Sequence, residues 1–251
     1  MPNVTKHNKR RNIRTKTNHL WPSLDEEYLD LVLKFSQQQL NVETYLSDCI
    51  ALFQPLLTGN EFKSLIERSK KQDDQFELLR RHIDEKRYTV LLYKVAENEV
   101  HAPHHHHNVA STQILVEGRL HLREYDRVRR NDNGQLVARQ TSERFLKPGD
   151  AFQSSEWKNN IHWFQAINGP AIIFNTNARG FETNTFDASE GSFGRRYVDP
   201  TSQSKNVDTQ QANLKEDHEI ICEEFDANEA IKRFANKSLS LFPTEFTPSN
   251  R

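Results

Sequence analysis

The chain has 251 residues, of which 35% are hydrophobic, with a mean hydropathy of −0.84 and a formal net charge of −1. It is long enough to bury a sizeable core, yet polar enough that part of it is expected as solvated extension around one compact domain. The balanced charge argues against nucleic acid or an anionic membrane as the main partner, and no apolar run approaches the ~20 residues of a spanning helix.

Residues 1–20 are polar and locally basic, with Lys6, Lys9, Arg10, Arg11, Arg14 and Lys16, and read as a disordered tail. No apolar signal core follows the amino terminus. From Pro22 the period becomes helical: Ser23 is an N-cap candidate with Glu26 three residues on, and Tyr28, Leu31, Val32 and Phe35 follow at 3–4 spacing. Further helical stretches are expected at about 42–57, carrying Leu46, Ile50, Leu52 and Phe53, and at about 61–68. Residues 21–85 thus form a helical preface.

Around Tyr88 the pattern changes to that of strands, because YTVLLYKV is rich in β-branched and aromatic residues. More strands are expected at 112–116, 120–126, 135–139, 143–146, 162–167 and 171–175. Turn signals separate them: Glu117-Gly118, Asn131-Asp132-Asn133-Gly134, Pro148-Gly149-Asp150 and Asn168-Gly169-Pro170. Short strands so spaced predict a mainly β sandwich or barrel over 86–181 rather than βαβ units. Residues 182–251 read as a carboxyl-terminal arm. It contains a polar loop, TSQSKNVDTQQANLKED, an extended segment at 219–225 and a short helix near 228–235.

Cys49 and Cys222 lie far apart in different kinds of segment, so no disulfide framework is expected and the chain reads as cytoplasmic.

The chemistry concentrates in His104-His105-His106-His107, with Gly118 eleven residues beyond its last member. Neutral imidazole is a common ligand for borderline divalent ions, and residues i and i+2 of a strand share a face. The run therefore supplies one metal-binding pair, either His104/His106 or His105/His107. A mononuclear centre needs a third protein ligand, and His162, beside Ile161, Trp163 and Phe164, is the best remaining candidate. His7 and His19 belong to the tail, His82 to a charged helix or linker and His218 to the arm. His101 and His121 are supporting candidates near the cluster.

HHHNVASTQILVEG, from His105 to Gly118, and PGDAFQSSEWKNNIH, from Pro148 to His162, resemble the two metal-binding motifs of the cupin superfamily. The resemblance covers roughly residues 88–181 and implies a double-stranded β-helix, or jelly-roll barrel. Alignment on Glu117-Gly118 implies His105, His107 and His162 as the ligands. The motif glutamate would fall at Ser111, with Thr112 and Gln113 beside it, none of them a strong ligand. A three-histidine site without a carboxylate resembles cysteine dioxygenases and other thiol dioxygenases, and some ring-cleaving dioxygenases. It implies Fe(II) with its full +2 charge and positions open to an anionic chelating substrate and O2. LRRHIDEKRYTVLLYKV resembles the segment whose arginine grips the substrate carboxylate in cysteine dioxygenases. Arg80 or Arg81 stands at that distance, and Arg81 is taken as the substrate grip. The cysteine that is crosslinked to tyrosine in that family has no counterpart here.

Beside this, Arg119, His121, Arg123 and Tyr125 alternate on one face of a strand. If that face lines the barrel it holds an anionic substrate or tunes the metal, and Tyr125 is its catalytic candidate. If it faces out, it is an ordinary solvated face. Phe193-Gly194-Arg195-Arg196-Tyr197 is read as loop packing, with an anion clamp as the alternative. The sequence-level expectation is an Fe(II) cupin dioxygenase acting on a small thiol and O2. Ring cleavage of a hydroxylated aromatic acid is a second reading, and a non-catalytic binding cupin a third. The arm covers the barrel mouth or an edge strand, or pairs with a second subunit as a homodimer.

Overall fold

A computed structural model describes residues 13–18, 22–71, 75–186, 195–201 and 219–234. Three helices precede the barrel: α1 (Pro22–Ser36), α2 (Val42–Phe53) and α3 (Asn60–Lys70), with a 3-10 segment, Gln54–Thr58, after α2. Asn41 caps α2 by accepting the Thr44 amide at 2.8 Å. Helix α1 starts at Pro22, so Ser23 lies inside its first turn rather than at its cap.

The strands are β1 (Ile13–Asn18), β2 (Gln75–Ile83), β3 (Lys86–Val95), β4 (Val100–His106), β5 (Val109–Glu117), β6 (Leu120–Arg130), β7 (Leu136–Leu146), β8 (Ala151–Ser154), β9 (Ile161–Ala166), β10 (Ala171–Arg179), β11 (Arg195–Asp199) and β12 (Glu219–Phe225). A last helix, α4, spans Ala227–Phe234.

One sheet has the order β1-β2-β3-β10-β5-β8; the other runs β11-β12-β7-β6-β9-β4 and closes on itself, because β11 also pairs with β4. Strands β3 to β10 taken alone give β3-β10-β5-β8 facing β4-β9-β6-β7. First pairs with last and second with seventh, which is jelly-roll topology. The fold is therefore mainly β, a cupin-type double-stranded β-helix with a helical part in front. Gly118, in the turn between β5 and β6, has φ 84°, and a Cβ there would lie 2.3 Å from the Pro170 carbonyl oxygen. Only glycine fits that crossing.

Three cores follow from the strand faces. The outer face of the first sheet packs Tyr88, Val90, Leu92, Ile114 and Phe174 against Tyr28, Phe53 and Phe62 of the helices. The Thr112 hydroxyl donates to the Leu46 carbonyl at 3.2 Å across this seam. Between the two sheets lie Tyr93, Leu115, Leu120, Leu122, Phe152, Phe164 and Ile173. A third core lies on the other face of β4, β6 and β9, inside the closed second sheet: Tyr125, Leu136, Ile161, Trp163, Val198 and Cys222, with Phe234 of α4. Strands β4, β6 and β9 thus wall two interiors at once.

The structure differs from the sequence expectation in several places. The segment 75–83, placed in the helical preface, is strand β2, and its alternation is concealed by charges at Glu77, Arg80 and Arg81. Residues 13–18, placed in a disordered tail, pair with β2. The stretches 135–139 and 143–146 form one strand, β7. Strands β11 and β12 are not an appended arm; they close the second sheet between β4 and β7. The predicted loop at 201–217 lies outside the described residues beyond Thr201, as do His7, His19, Phe193, Gly194 and His218. No helix among the described residues is long and apolar enough to cross a membrane.

Candidate metal centre

Strand β4 alternates its histidines between the two interiors. His104 pairs in register with His162 of β9, which pairs with Glu124 of β6, and these residues share the face turned toward the first sheet. His104, His106 and His162 converge there, with donor atoms all within 4.8 Å of one another. The ring centroids of His104 and His162 are 4.6 Å apart, and those of His104 and His106 are 4.9 Å apart. The His104 Nδ1 lies 2.7 Å from the Ala102 carbonyl oxygen, which can only accept, so Nδ1 carries the proton and Nε2 is left to face the cluster. Such a backbone acceptor commonly orients a metal-binding imidazole.

All three rings are held in the neutral form that a metal requires. Burial, then the Arg195 charge, drives His104 well below the usual histidine range, with further contributions from His162 and His106. Burial, then His162, Arg195 and Arg179, does the same for His106. His162 is lowered to about 4, first by burial and then by Arg195. Three neutral imidazoles on two adjacent strands, with donor atoms all within 4.8 Å of one another, fit a borderline divalent ion.

The expected pair was His105/His107, one residue off. His105 turns into the second interior, where Arg127 Nη1 lies 3.3 Å from its Nδ1 and Glu224 Oε1 lies 3.3 Å from its Nε2. A guanidinium only donates, so Nδ1 accepts and Nε2 carries the proton toward the carboxylate. Both ring nitrogens are committed, and neither is free for a metal. His107 lies on the same side, 3.6 Å from buried Glu156. His162 is the third histidine named from sequence, and the structure brings it to the cluster with the other pair.

Tyr125 is also turned away. It pairs with Ile161, packs in the third core and is 1% exposed, while its neighbour Glu124 faces His162. Arg123 lies over the Trp163 ring at 5.2 Å on that same far side. Arg81 occupies the helix-facing side of β2, ion-paired to buried Asp25 and beside Tyr88. Arg80, the alternative, is paired with Thr89 on the side facing the barrel interior, where it forms an ion pair with Glu77.

Several residues around the cluster escaped the sequence reading. Glu124 is 1% exposed; its Oε2 accepts from Ser142 and from Arg144 at 3.0 Å, while Oε1 is buried with no hydrogen bond. Burial raises its pKa, with Arg144 and Ser142 offsetting part of the effect. The signal was the apolar alternation of Leu120 and Leu122, which marks even-numbered positions of β6 as inward. Opposite the histidines, the first sheet presents Thr89, Ser111, Gln113, Ser154 and Asn177, all buried. The barrel interior is therefore apolar at one end and polar around the histidines.

No family model matches the chain, and no curated protein does. Among solved structures, it is similar to a cupin-2 domain containing protein from Shewanella frigidimarina: 15% identity, 49% of this chain and 96% of that chain covered, TM-score 0.31. It is also similar to KdgF from Halomonas sp., at 17% identity, 42% and 76% coverage and TM-score 0.29. Procruciferin, an 11S globulin from Brassica napus, matches at 13% identity over 37% of this chain, with TM-score 0.29. The match spans about 20% of that globulin's length. At this distance no property of theirs transfers to the chain.

Proposed function

We propose that the chain is a mononuclear metal-dependent dioxygenase, with Fe(II) as its metal and a small polar thiol and O2 as its substrates. One observation carries this reading: three neutral histidines converge opposite a buried polar wall, with no carboxylate among the three. Three neutral ligands leave a divalent ion its full charge, which favours an anionic chelating substrate. When bound, the metal lowers the pKa of a coordinated thiol and brings O2 beside it. Overall, one thiol and one O2 give one sulfinic acid, so both oxygen atoms end on sulfur.

The chain's own residues supply the rest. His104 is oriented by the Ala102 carbonyl, and His162 is fixed between β4 and β6. Arg80, on the inward side of β2 and ion-paired to Glu77, would hold a substrate carboxylate by exchanging that partner, since a guanidinium fork binds a carboxylate bidentately. The unpaired Glu124 Oε1 offers an acceptor to a substrate N–H or O–H group. Ring cleavage calls for a flat apolar pocket, for which Trp163 and Phe164 are the candidates; Trp163 points into the other interior, while Phe164 lies between the sheets with its ring 6.4 Å from that of His162.

The test is oxygen uptake by Fe(II)-reconstituted protein against a panel of small thiols and dihydroxy-aromatic acids, with the His162→Ala variant as blank. One iron per chain and uptake with a thiol, with both atoms of labelled O2 in the product, is the expected result. Stoichiometric iron retained by His162→Ala, or uptake with diphenols alone, would overturn it.

A further inference from the structure

Arg179 ends β10 and stands directly across from Arg87 of β3 in the register of the first sheet. Both are half-buried, on the inward-facing positions that Asn177 and Thr89 continue one row deeper. Arg195 of β11, which is exposed, pairs in register with His106 on the facing sheet. Like charges placed directly opposite across a strand pair destabilise it, and half-burial makes this worse. Yet among the described residues no carboxylate lies within ion-pair distance of Arg87, Arg179 or Arg195. Arg123, Arg127, Arg129, Arg130, Arg139, Arg144 and Arg233 all have one.

The neighbourhood is under-satisfied in the same sense. The Ser154 hydroxyl, 3% exposed and one row below on the same wall, is buried without a hydrogen bond. The three charges also converge electrostatically. Desolvation, then the Arg87, Arg195 and Arg80 charges, together lower the Arg179 pKa to about 10. Arg195 and Arg179 both act on His106.

We propose that Arg87, Arg179 and Arg195 form a clamp at the barrel mouth for a doubly charged oxyanion on the substrate, a phosphate group or a pair of carboxylates. The inference rests on the metal-site reading for the word substrate, but the clamp itself does not. A single carboxylate would leave most of this charge unanswered. A dianion offers three or more acceptor oxygens to guanidinium forks. The substrate class is then an anionic thiol: its sulfur end at the three histidines, its oxyanion at the rim, and the polar wall of Ser111, Asn177 and Ser154 between them.

The experiment titrates inorganic phosphate, succinate and acetate calorimetrically into metal-free protein, and into Arg179→Gln and Arg87→Gln. Phosphate or succinate is expected to bind one to one and more tightly than acetate. Whichever binds better identifies the source of the charge. Affinity falls with added salt and drops roughly tenfold or more in each variant. Without anion, both variants melt at a higher temperature than the wild type, because a like-charge contact is relieved. Absence of oxyanion binding, affinity unchanged in Arg179→Gln, or a lower melting temperature of both variants without anion would overturn the clamp. Iron content and oxygen uptake are read on Fe(II)-reconstituted portions of the same preparations: oxyanion binding without stoichiometric iron after reconstitution sinks the dioxygenase reading alone, and iron with thiol-dependent uptake but no oxyanion binding sinks the clamp alone.

Discussion

The two faces of β4 carry the same side chain and put it to opposite uses. His104 and His106 look into the space between the sheets, where polar groups are left partly unsatisfied and the rings keep a nitrogen for something else. His105 looks into the closed second sheet, where Arg127 and Glu224 meet its two ring nitrogens, and His107, just past the end of the strand, lies 3.6 Å from Glu156. Arg127 donates to Glu156 at 2.5 Å and to its backbone carbonyl at 2.9 Å, and both side chains are fully buried. Asn108 and Phe186 amides complete the Glu156 carboxylate. A buried ion network with its lone pairs filled is structure, whereas a buried cluster with donors and acceptors left over is a site. What separates His105 from His104 is the commitment of its second ring nitrogen, not the residue type.

The contrast can be broken most forcefully at the metal. His104→Ala or His106→Ala should abolish stoichiometric binding of a divalent transition ion, measured by metal analysis after dialysis, while His105→Ala should keep it. The reverse pattern would return the site to the odd-numbered pair.

Next in size is Arg127→Met, which strands Glu156 without its partner. It should cost about 3–5 kcal/mol in denaturant unfolding. A cost under 1 kcal/mol would mean that the second interior is not held by this pair.

His105→Ala removes a hydrogen-bonded link between Arg127 and Glu224 and should cost about 1–3 kcal/mol, read the same way.

The smallest effect sharpens the electrostatics. Burial lifts Glu182 to about 7, the Glu156 amide and Arg127 opposing the rise and the Glu156 charge supporting it. Since this folded-state pKa lies above the unfolded value, the native state holds the extra proton. Its contribution is full below the unfolded value, near 4, and is lost as pH rises toward 7. Glu182→Gln should therefore unfold like the wild type near pH 4, and be more stable than it at pH 8 by about 1–3 kcal/mol. A pH-independent difference would refute the assignment.

Much of the barrel was legible because its strands are short, β-branched and separated by turn residues; β3, β6, β9, β10 and β12 appear close to where the pattern puts them. The parity of the histidine run was not. Strand faces are read from alternation between polar and apolar residues, and four identical residues have none. Nor does solvent break the tie, since His104, His105 and His107 are all buried. Counting back from Gly118 fails for a local reason: the chain turns at Asn108, with φ 49°, between the run and β5. The sequence leaves the face of β6 that carries Arg119, His121, Arg123 and Tyr125 open between barrel lining and solvent; Leu120 and Leu122, on the opposite face, are the ones that pack between the sheets.

The wall shared by the two interiors has a consequence for how the protein is made. The histidine pair lies on the fourth strand, but that strand has only one sheet neighbour, β9, until β11 arrives, and β12 must join to shut the ring. A chain emerging from the ribosome thus carries all three histidines tens of residues before the ring that flanks them can close. Completion of the centre is tied to the synthesis of Phe225, so an interrupted chain would carry every ligand and still lack the closed ring that holds β4 on both sides.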